Sequence, residues 1–391
     1  MTIAIKKNKF ILYFVWIAFL FPRGLSEYFS IYKLFATILL YGSILLTVVY
    51  AVARISKRKM GMTPRFFPLF WYYFVMIGIT ILVHGSLREG LQKMFATPAL
   101  CLFCIMTLED RFYDSIDVIC NILITNLTLN VTVASPYILK KIMGSEYITN
   151  IMFIGHVQIC LQYCCLAFFI AFIIYHYYNL KIKSIIIFLT GLLSLLLSGA
   201  VASYLAVAVI ISCYIFYKLS KGRKFISKAN SAVLFALGTL LQGLVVLFVI
   251  RYKIDFAARY YVYIDAASQI IAKPFIGYGI YGTLIHTFWM EWTNSSGMNY
   301  AHNEVLQQLL DGGILLLINY VIFNVALLRK KKNEGNDTFL MYWTNILLVL
   351  FLIDGFVESV TEYNYYYIFI ILIVSINQYL RKNLVEVIYC R

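Results

Sequence analysis

Twelve apolar stretches, most of them 16 to 25 residues long, divide this 391-residue chain and constrain its fold more than any other feature. They run roughly over 10–21, 32–53, 66–83, 91–108, 118–139, 151–175, 185–197, 201–217, 229–250, 305–328, 338–353 and 363–379. About 20 apolar residues make a helix long enough to cross the hydrocarbon of a bilayer. Backbone polar groups in lipid must find partners within their own segment, so such stretches read as helices. A water-soluble core cannot absorb the pattern: the chain is 62% hydrophobic and only 13% charged, which leaves too little polar surface to face water. The expected fold is therefore an all-α polytopic membrane protein of about twelve transmembrane helices. The 33 residues from Ile185 to Tyr217 overshoot a bilayer as one helix and are divided at Ser198–Gly199. No small-residue cleavage site follows Phe21, so the short first stretch reads as an uncleaved anchor.

The formal net charge is +15, which in a soluble chain would suggest a nucleic-acid partner. Its distribution says otherwise. When successive loops are assigned to alternate sides, 23 of the 33 basic residues fall on one side and 10 on the other. With 7 and 11 acidic residues respectively, the two faces carry +16 and −1. The excess is an orientation signal that puts both termini in the cytoplasm. No folded basic surface interleaved with aromatics remains to hold nucleic acid.

One connection is out of proportion. Residues 251–304 form a 54-residue outer segment between a bundle of about nine spans (1–250) and a unit of about three spans with a cytoplasmic tail (305–391). Loops of that length are functional or disordered, and this one is too aromatic for disorder. Phe256, Tyr260, Tyr263, Ala267 and Ile271 recur at helical spacing until Lys273–Pro274, predicting a helix along the outer surface and then a Gly-rich turn.

Several motifs carry less than they promise. Gly277, Gly279 and Gly282 spell a dinucleotide fingerprint, but no βαβ unit surrounds them and a tight turn is the better reading. Cys101 and Cys104 form a C-x-x-C inside an apolar stretch, without the clustered partners a zinc or redox site needs, and read as small buried hydrophobes. Asn294-Ser-Ser296 is a formal glycosylation sequon. Asp354, Glu358 and Glu362, followed by the Tyr-rich run 363–367, form an acidic-aromatic outer loop without a basic residue. It is expected to be a solvated loop, with a rim for a neutral, hydroxyl-rich acceptor as the alternative.

The informative run is 301–313, Ala-His-Asn-Glu-Val-Leu-Gln-Gln-Leu-Leu-Asp-Gly-Gly. His302, Leu306, Leu309 and Gly313 share one face if the segment is helical. Asn303 is a good N-cap, which places His302 at the positive end of the helix, where the dipole favours a neutral imidazole suited to general-base work. Gly312–Gly313 would let another helix approach closely.

With the long outer loop before it, Arg259 near the loop's start and Pro274-Phe-Ile-Gly-Tyr-Gly279 in its middle, this run resembles the O-antigen polymerase and O-antigen ligase superfamily over about 55 residues, Arg259 to Gly313. The resemblance implies a membrane glycosyltransferase of the GT-C type that uses a polyprenyl-diphosphate-linked oligosaccharide and no cofactor. It implies His302 as the base for the acceptor hydroxyl and Arg259 as a diphosphate-binding residue, with a chain-length regulator and membrane lipid as further partners. The family's Ser-Arg after the break before the eighth span has no counterpart, because Val201 stands where the Arg would align.

The chemistry of such a transfer is consistent with this. A diphosphate leaving group needs its growing charge neutralised by fixed Arg or Lys, and a sugar hydroxyl needs a base within hydrogen-bond reach. Outer-face cations are scarce, so Arg251, Lys253, Lys273 and Arg88 join Arg259, Asn303 and Glu304 as expected substrate-binding residues, and no metal is expected. The preferred reading is a polymerase of O-antigen or capsular repeat units, with a ligase and a lipid-linked oligosaccharide flippase as alternatives. A transporter of an anionic substrate should carry basic residues inside its spans, which here read as almost free of charge.

Overall fold

The computed structural model describes residues 2–27, 29–56, 64–83, 92–132, 151–219, 223–254, 259–285, 300–329 and 338–389. Among them lie fourteen α-helices and no strand beyond an isolated bridge between Ile151 and His156. In order these are α1 (Thr2–Phe19), α2 (Ser30–Ser56), α3 (Phe67–Leu82), α4 (Thr97–Asp110), α5 (Phe112–Thr132), α6 (Ile159–Tyr177), α7 (Lys181–Ser198), α8 (Val201–Leu219), α9 (Arg223–Lys228), α10 (Ser231–Tyr252), α11 (Arg259–Ala272), α12 (Glu304–Leu328), α13 (Thr338–Asp354) and α14 (Asn364–Tyr389).

Each of the twelve apolar stretches is helical among the described residues, the one at 305–328 with a break at Gly312–Gly313. Eight are long and apolar enough to cross a membrane: α2, α3 with its leading turn, α5, α6, α7, α8, α10 and α12. The other four are shorter in their apolar part. α4 has 14 residues because a π-helical turn, Gln92–Ala96, takes up the start of its stretch. Gly199 adopts φ +69° and ends α7, so the division of 185–217 falls where the bilayer thickness required it.

The bundle is built around α6, of which every residue from Ile159 to Ile174 is buried, with α7, α13, α14 and α5 packed against it. Outward faces are apolar as well. On α2, Leu45, Val48, Val49 and Val52 are exposed, and on α10 so are Leu240, Leu244 and Leu247. In water these faces would be an aggregation hazard; in hydrocarbon they are the lipid contact. Polar side chains turn inward and join helices. Asn130 donates to Ser194 at 3.0 Å, Gln162 to Asp354 at 2.7 Å and Gln242 to the Leu352 carbonyl at 2.7 Å. A membrane interior rewards such bonds because an unsatisfied polar group there has no water to turn to.

Ion pairs among the described residues fall into two groups. Lys9, Arg54, Arg111 and Lys183 pair with Glu109, Asp110, Asp114 and Asp117 at one end of the bundle. Arg259, His302 and Lys93 meet Glu358, Asp311 and Glu362 at the other.

Candidate active site

Three segments build the site: the start of α11, the entry to α12, and the connector 355–363 between α13 and α14. Asn303 caps α12, its Oδ1 accepting from the Leu306 amide at 3.1 Å, as its position in the motif predicts. His302 does not share the helical face expected of it. It precedes the helix in the left-handed region, φ +51°, and the turn aims its ring at the connector. There Nδ1 lies 3.2 and 3.3 Å from the two carboxylate oxygens of Glu358.

Glu358 is held from three further directions. An Arg259 Nη donates to it at 3.1 Å, the Tyr300 hydroxyl donates a very short bond, and both Arg259 Nε and the same Nη grip the adjacent Val357 carbonyl at 3.2 and 2.9 Å. Burial alone would push this carboxyl up, but His302, Tyr300 and Arg259 together hold it below the ordinary glutamate value. Burial and the neighbouring Glu358 push the Tyr300 phenol well up, so it stays a donor. An ionised carboxylate can only accept, which assigns a proton to His302 Nδ1 and leaves Nε2 as the nitrogen that carries the lone pair whenever the ring is neutral. The ring remains 25% exposed, while Glu358 is 5% exposed. That is the geometry of a general base with a buried orienting acid.

The connector is therefore not the solvated loop its acidic composition suggests. Asp354 and Glu358 are buried and Glu362 is nearly so, because partners arrive from other elements: Gln162 for Asp354, Arg259 and His302 for Glu358, and Lys93 for Glu362. Its backbone is also tied. The Gly355 carbonyl accepts from the Glu304 amide at 3.0 Å, and the Phe356 carbonyl accepts from the Tyr263 hydroxyl at 2.8 Å and Asn303 Nδ2 at 3.3 Å. The Ser359 amide donates to the Tyr300 oxygen at 3.1 Å. Glu304 is fully buried and accepts from the Thr361 amide at 3.1 Å, the Thr361 hydroxyl at 2.8 Å and Gln308 Nε2 at 2.8 Å. Glu304 thus serves the connector in this arrangement.

Beyond Glu304 lies a second ionic group. Lys93 forms a very short ion pair with Glu362 and reaches Asp311 at 3.5 Å, and the Tyr281 hydroxyl donates to Glu362 at 2.5 Å. The span interiors are thus not as free of charge as the sequence suggests: Lys93, Asp311 and Glu304 are buried together. They escape a search for charged clusters because they lie 200 or more positions apart, save Glu304 and Asp311.

α12 itself is broken. Gly312 and Gly313 leave helical geometry, and the segment following α11 enters the gap. The amides of Ile314 and Leu315 donate to the carbonyls of Pro274 and Phe275 at 2.8 and 3.2 Å, and the Tyr278 amide donates to the Leu310 carbonyl at 2.8 Å. The partner of Gly312–Gly313 is therefore this turn rather than another helix. The turn after Pro274 and the helix before it, α11, stand where spacing predicted them.

Of the expected site residues, His302, Asn303, Glu304 and Arg259 come together. Arg251, Lys253 and Lys273 are exposed at the ends of α10 and α11, and Lys273 lies over the Tyr278 ring at 4.5 Å. Arg88 and the sequon lie outside the described residues. Glu358, Tyr300, Tyr263, Glu362 and Lys93 were missed, and the one signal for them was the i, i+4, i+8 acidic spacing of 354, 358 and 362.

Residues 185–321 match the family described as O-antigen ligase, from the start of α7 into the second half of α12. The match includes Arg259, His302 and Glu304 and stops short of the connector that carries Glu358. No curated protein matches the chain. Residues 185–321 of this polytopic membrane protein are thus similar to the O-antigen ligase family, which is consistent with the O-antigen polymerase and ligase superfamily.

Proposed function

We propose that the chain polymerises polyprenyl-diphosphate-linked oligosaccharide repeat units into O-antigen or capsular polysaccharide on the outer face of a bacterial cytoplasmic membrane. The observation that carries this reading is the Glu358–His302 pair, a buried carboxylate orienting a partly exposed imidazole at the end of the one long outer segment. In the transfer, the acceptor hydroxyl oxygen forms a bond to the anomeric carbon of the donor glycan. The bond from that carbon to the diphosphate oxygen breaks, and the electron pair leaves with the diphosphate. The hydroxyl proton goes to His302 Nε2. Glu358 accepts from Nδ1–H and stabilises the imidazolium that forms. Arg259 fixes Glu358 and brings positive charge to the site, and the exposed Arg251, Lys253 and Lys273 supply counter-charge for the diphosphate.

The two-sided charge pattern supports both termini being cytoplasmic and this site being outside. A flippase fits less well, since the buried Lys93 is outnumbered by buried Asp311 and Glu362 and makes no cationic path for a diphosphate. The description of the matching family favours a ligase as the second reading. Purified protein in proteoliposomes, supplied with lipid-linked repeat units from a strain lacking this chain, separates the three. A ladder of polymer supports the polymerase; transfer only to added lipid A core supports the ligase; translocation with neither supports the flippase. His302→Ala is expected to abolish the ladder, and a normal ladder from that variant would sink the assignment of the base.

A further inference from the structure

The connector 355–363 carries the Glu358 carboxylate, yet its far end is anchored by an ionic group that the transfer does not use. Residue by residue, Gly355, Phe356, Val357, Ser359 and Thr361 are bound to α11, Tyr300 and the first turn of α12. Glu362 closes the segment against Lys93, from the turn before α4, and Tyr281, from the turn after α11. Lys93 also reaches Asp311, at the end of the first half of α12. Thr361 is gripped by Glu304, one turn of α12 away from Gln308, which donates to the Thr361 hydroxyl at 3.1 Å. A shift at Glu362 therefore propagates along four residues of tied backbone to Glu358, whose hydrogen bond to His302 has no slack at 3.2 Å.

We propose that Glu362, locked by Lys93 and Tyr281, is a positioning residue that sets the connector so that Glu358 meets the His302 ring. This rests on the reading of His302 as the base. A group three to four residues from the orienting acid is well placed for it, because an ångström of misplacement far from the reacting atoms costs a transfer reaction ~100-fold. The cluster touches neither donor nor acceptor in this scheme and acts only through Glu358.

Two variants test it, in the proteoliposome assay with lipid-linked repeat units taken from a strain lacking this chain. Glu362→Gln keeps the shape of the side chain and leaves Lys93 its Asp311 partner. Tyr281→Phe removes one hydrogen bond to Glu362 and no charge, so its effect reports position rather than field. Besides Glu358, the groups facing His302 are Tyr300 and Tyr263; those facing Glu358 are His302, Tyr300, Arg259, Tyr363 and Asp354, and Tyr281→Phe alters none of them, whereas Glu362→Gln removes a charge that also acts on Tyr363. Both variants are expected to lower kcat, ~10- to 100-fold for Glu362→Gln and less for Tyr281→Phe, with KM changed by less than ~2-fold. In both, the acid limb of the pH profile should move to lower pH, since a displaced carboxylate no longer favours the imidazolium. In a Glu358→Gln background, Glu362→Gln should add almost nothing.

A uniform loss at every pH with the limb unmoved, or full additivity with Glu358→Gln, overturns the proposal and leaves the cluster a structural clamp. Should His302→Ala itself retain activity, it is the assignment of the base that falls. Loss with both His302→Ala and Glu358→Gln but an unmoved limb in Tyr281→Phe and Glu362→Gln rejects the positioning role alone.

Discussion

His302 and Glu358 are 56 positions apart in the chain and share a hydrogen bond that neither position announces. His302 was legible because it precedes a good N-cap at the end of the longest stretch between apolar segments. Glu358 was not, because a stretch with three acids and no base reads as solvated until the fold brings Arg259 from 99 positions away and His302 beside it. Composition records a residue's own neighbours along the chain, whereas a buried carboxylate is made tolerable by neighbours in space. Replacing Glu358 with Gln keeps the volume and removes the charge, and transfer is expected to fall ~100-fold or more while donor binding holds, read as kcat against KM in proteoliposomes. The same residue gives a pH-dependent stability. Its carboxyl lies lower in the fold than in the unfolded chain, so its contribution is complete above the ordinary glutamate pKa and is lost as pH falls through the lowered value. The melting temperature of the wild type in detergent should exceed that of Glu358→Gln at neutral pH, and the gap should close only below about pH 4.

At the scale of elements, the two halves of α12 and the turn 274–280 form one unit. Sequence showed that Gly312–Gly313 allows a close neighbour and suggested a helix where the fold seats a turn, since close approach is a property of the missing side chain and identity is a property of the topology. The structure places a Cβ on Gly313 2.3 Å from the Phe275 carbonyl carbon and a Cβ on Gly277 2.4 Å from the Leu310 oxygen, both at positive φ. Backbone cannot retreat there without breaking the bonds that satisfy the interrupted helix. Gly199 offers the contrast: it also has positive φ, +69°, but nothing lies within 4 Å of its Cβ position. Gly199→Ala should therefore cost about 1 kcal/mol, the price of the left-handed conformation alone. Gly313→Ala should cost about 3 kcal/mol or more and lower activity as well, because the displaced turn leads directly into Tyr281. Thermal unfolding of the two variants in detergent measures the difference, and equal losses would mean that the turn is not seated in the break.

For the whole molecule, the alternation of apolar stretches made the helical bundle legible in the sequence, and each stretch is helical, the one at 305–328 in two halves. What the pattern could not show is depth, since the turn before α4 and the first half of α12 carry Lys93, Asp311 and Glu304 into the interior, where Lys93 pairs with Asp311 and Glu304 is held by Thr361 and Gln308. The remaining consequence of the charge map is direction. If 23 basic residues face the cytoplasm, then Lys181 at the start of α7 is inside, and Arg251 and Lys273 flanking α11 are outside with His302. All three side chains are exposed, and the six buried native cysteines are shielded from reagents. In a background with Cys213 and Cys390 replaced by Ser, a membrane-impermeant thiol reagent applied to intact spheroplasts should label Lys273→Cys and Arg251→Cys. Lys181→Cys should be labelled only after permeabilisation. The reverse pattern would turn the bundle over and put His302 in the cytoplasm, on the wrong side of the membrane for a glycan already carried across on its lipid diphosphate.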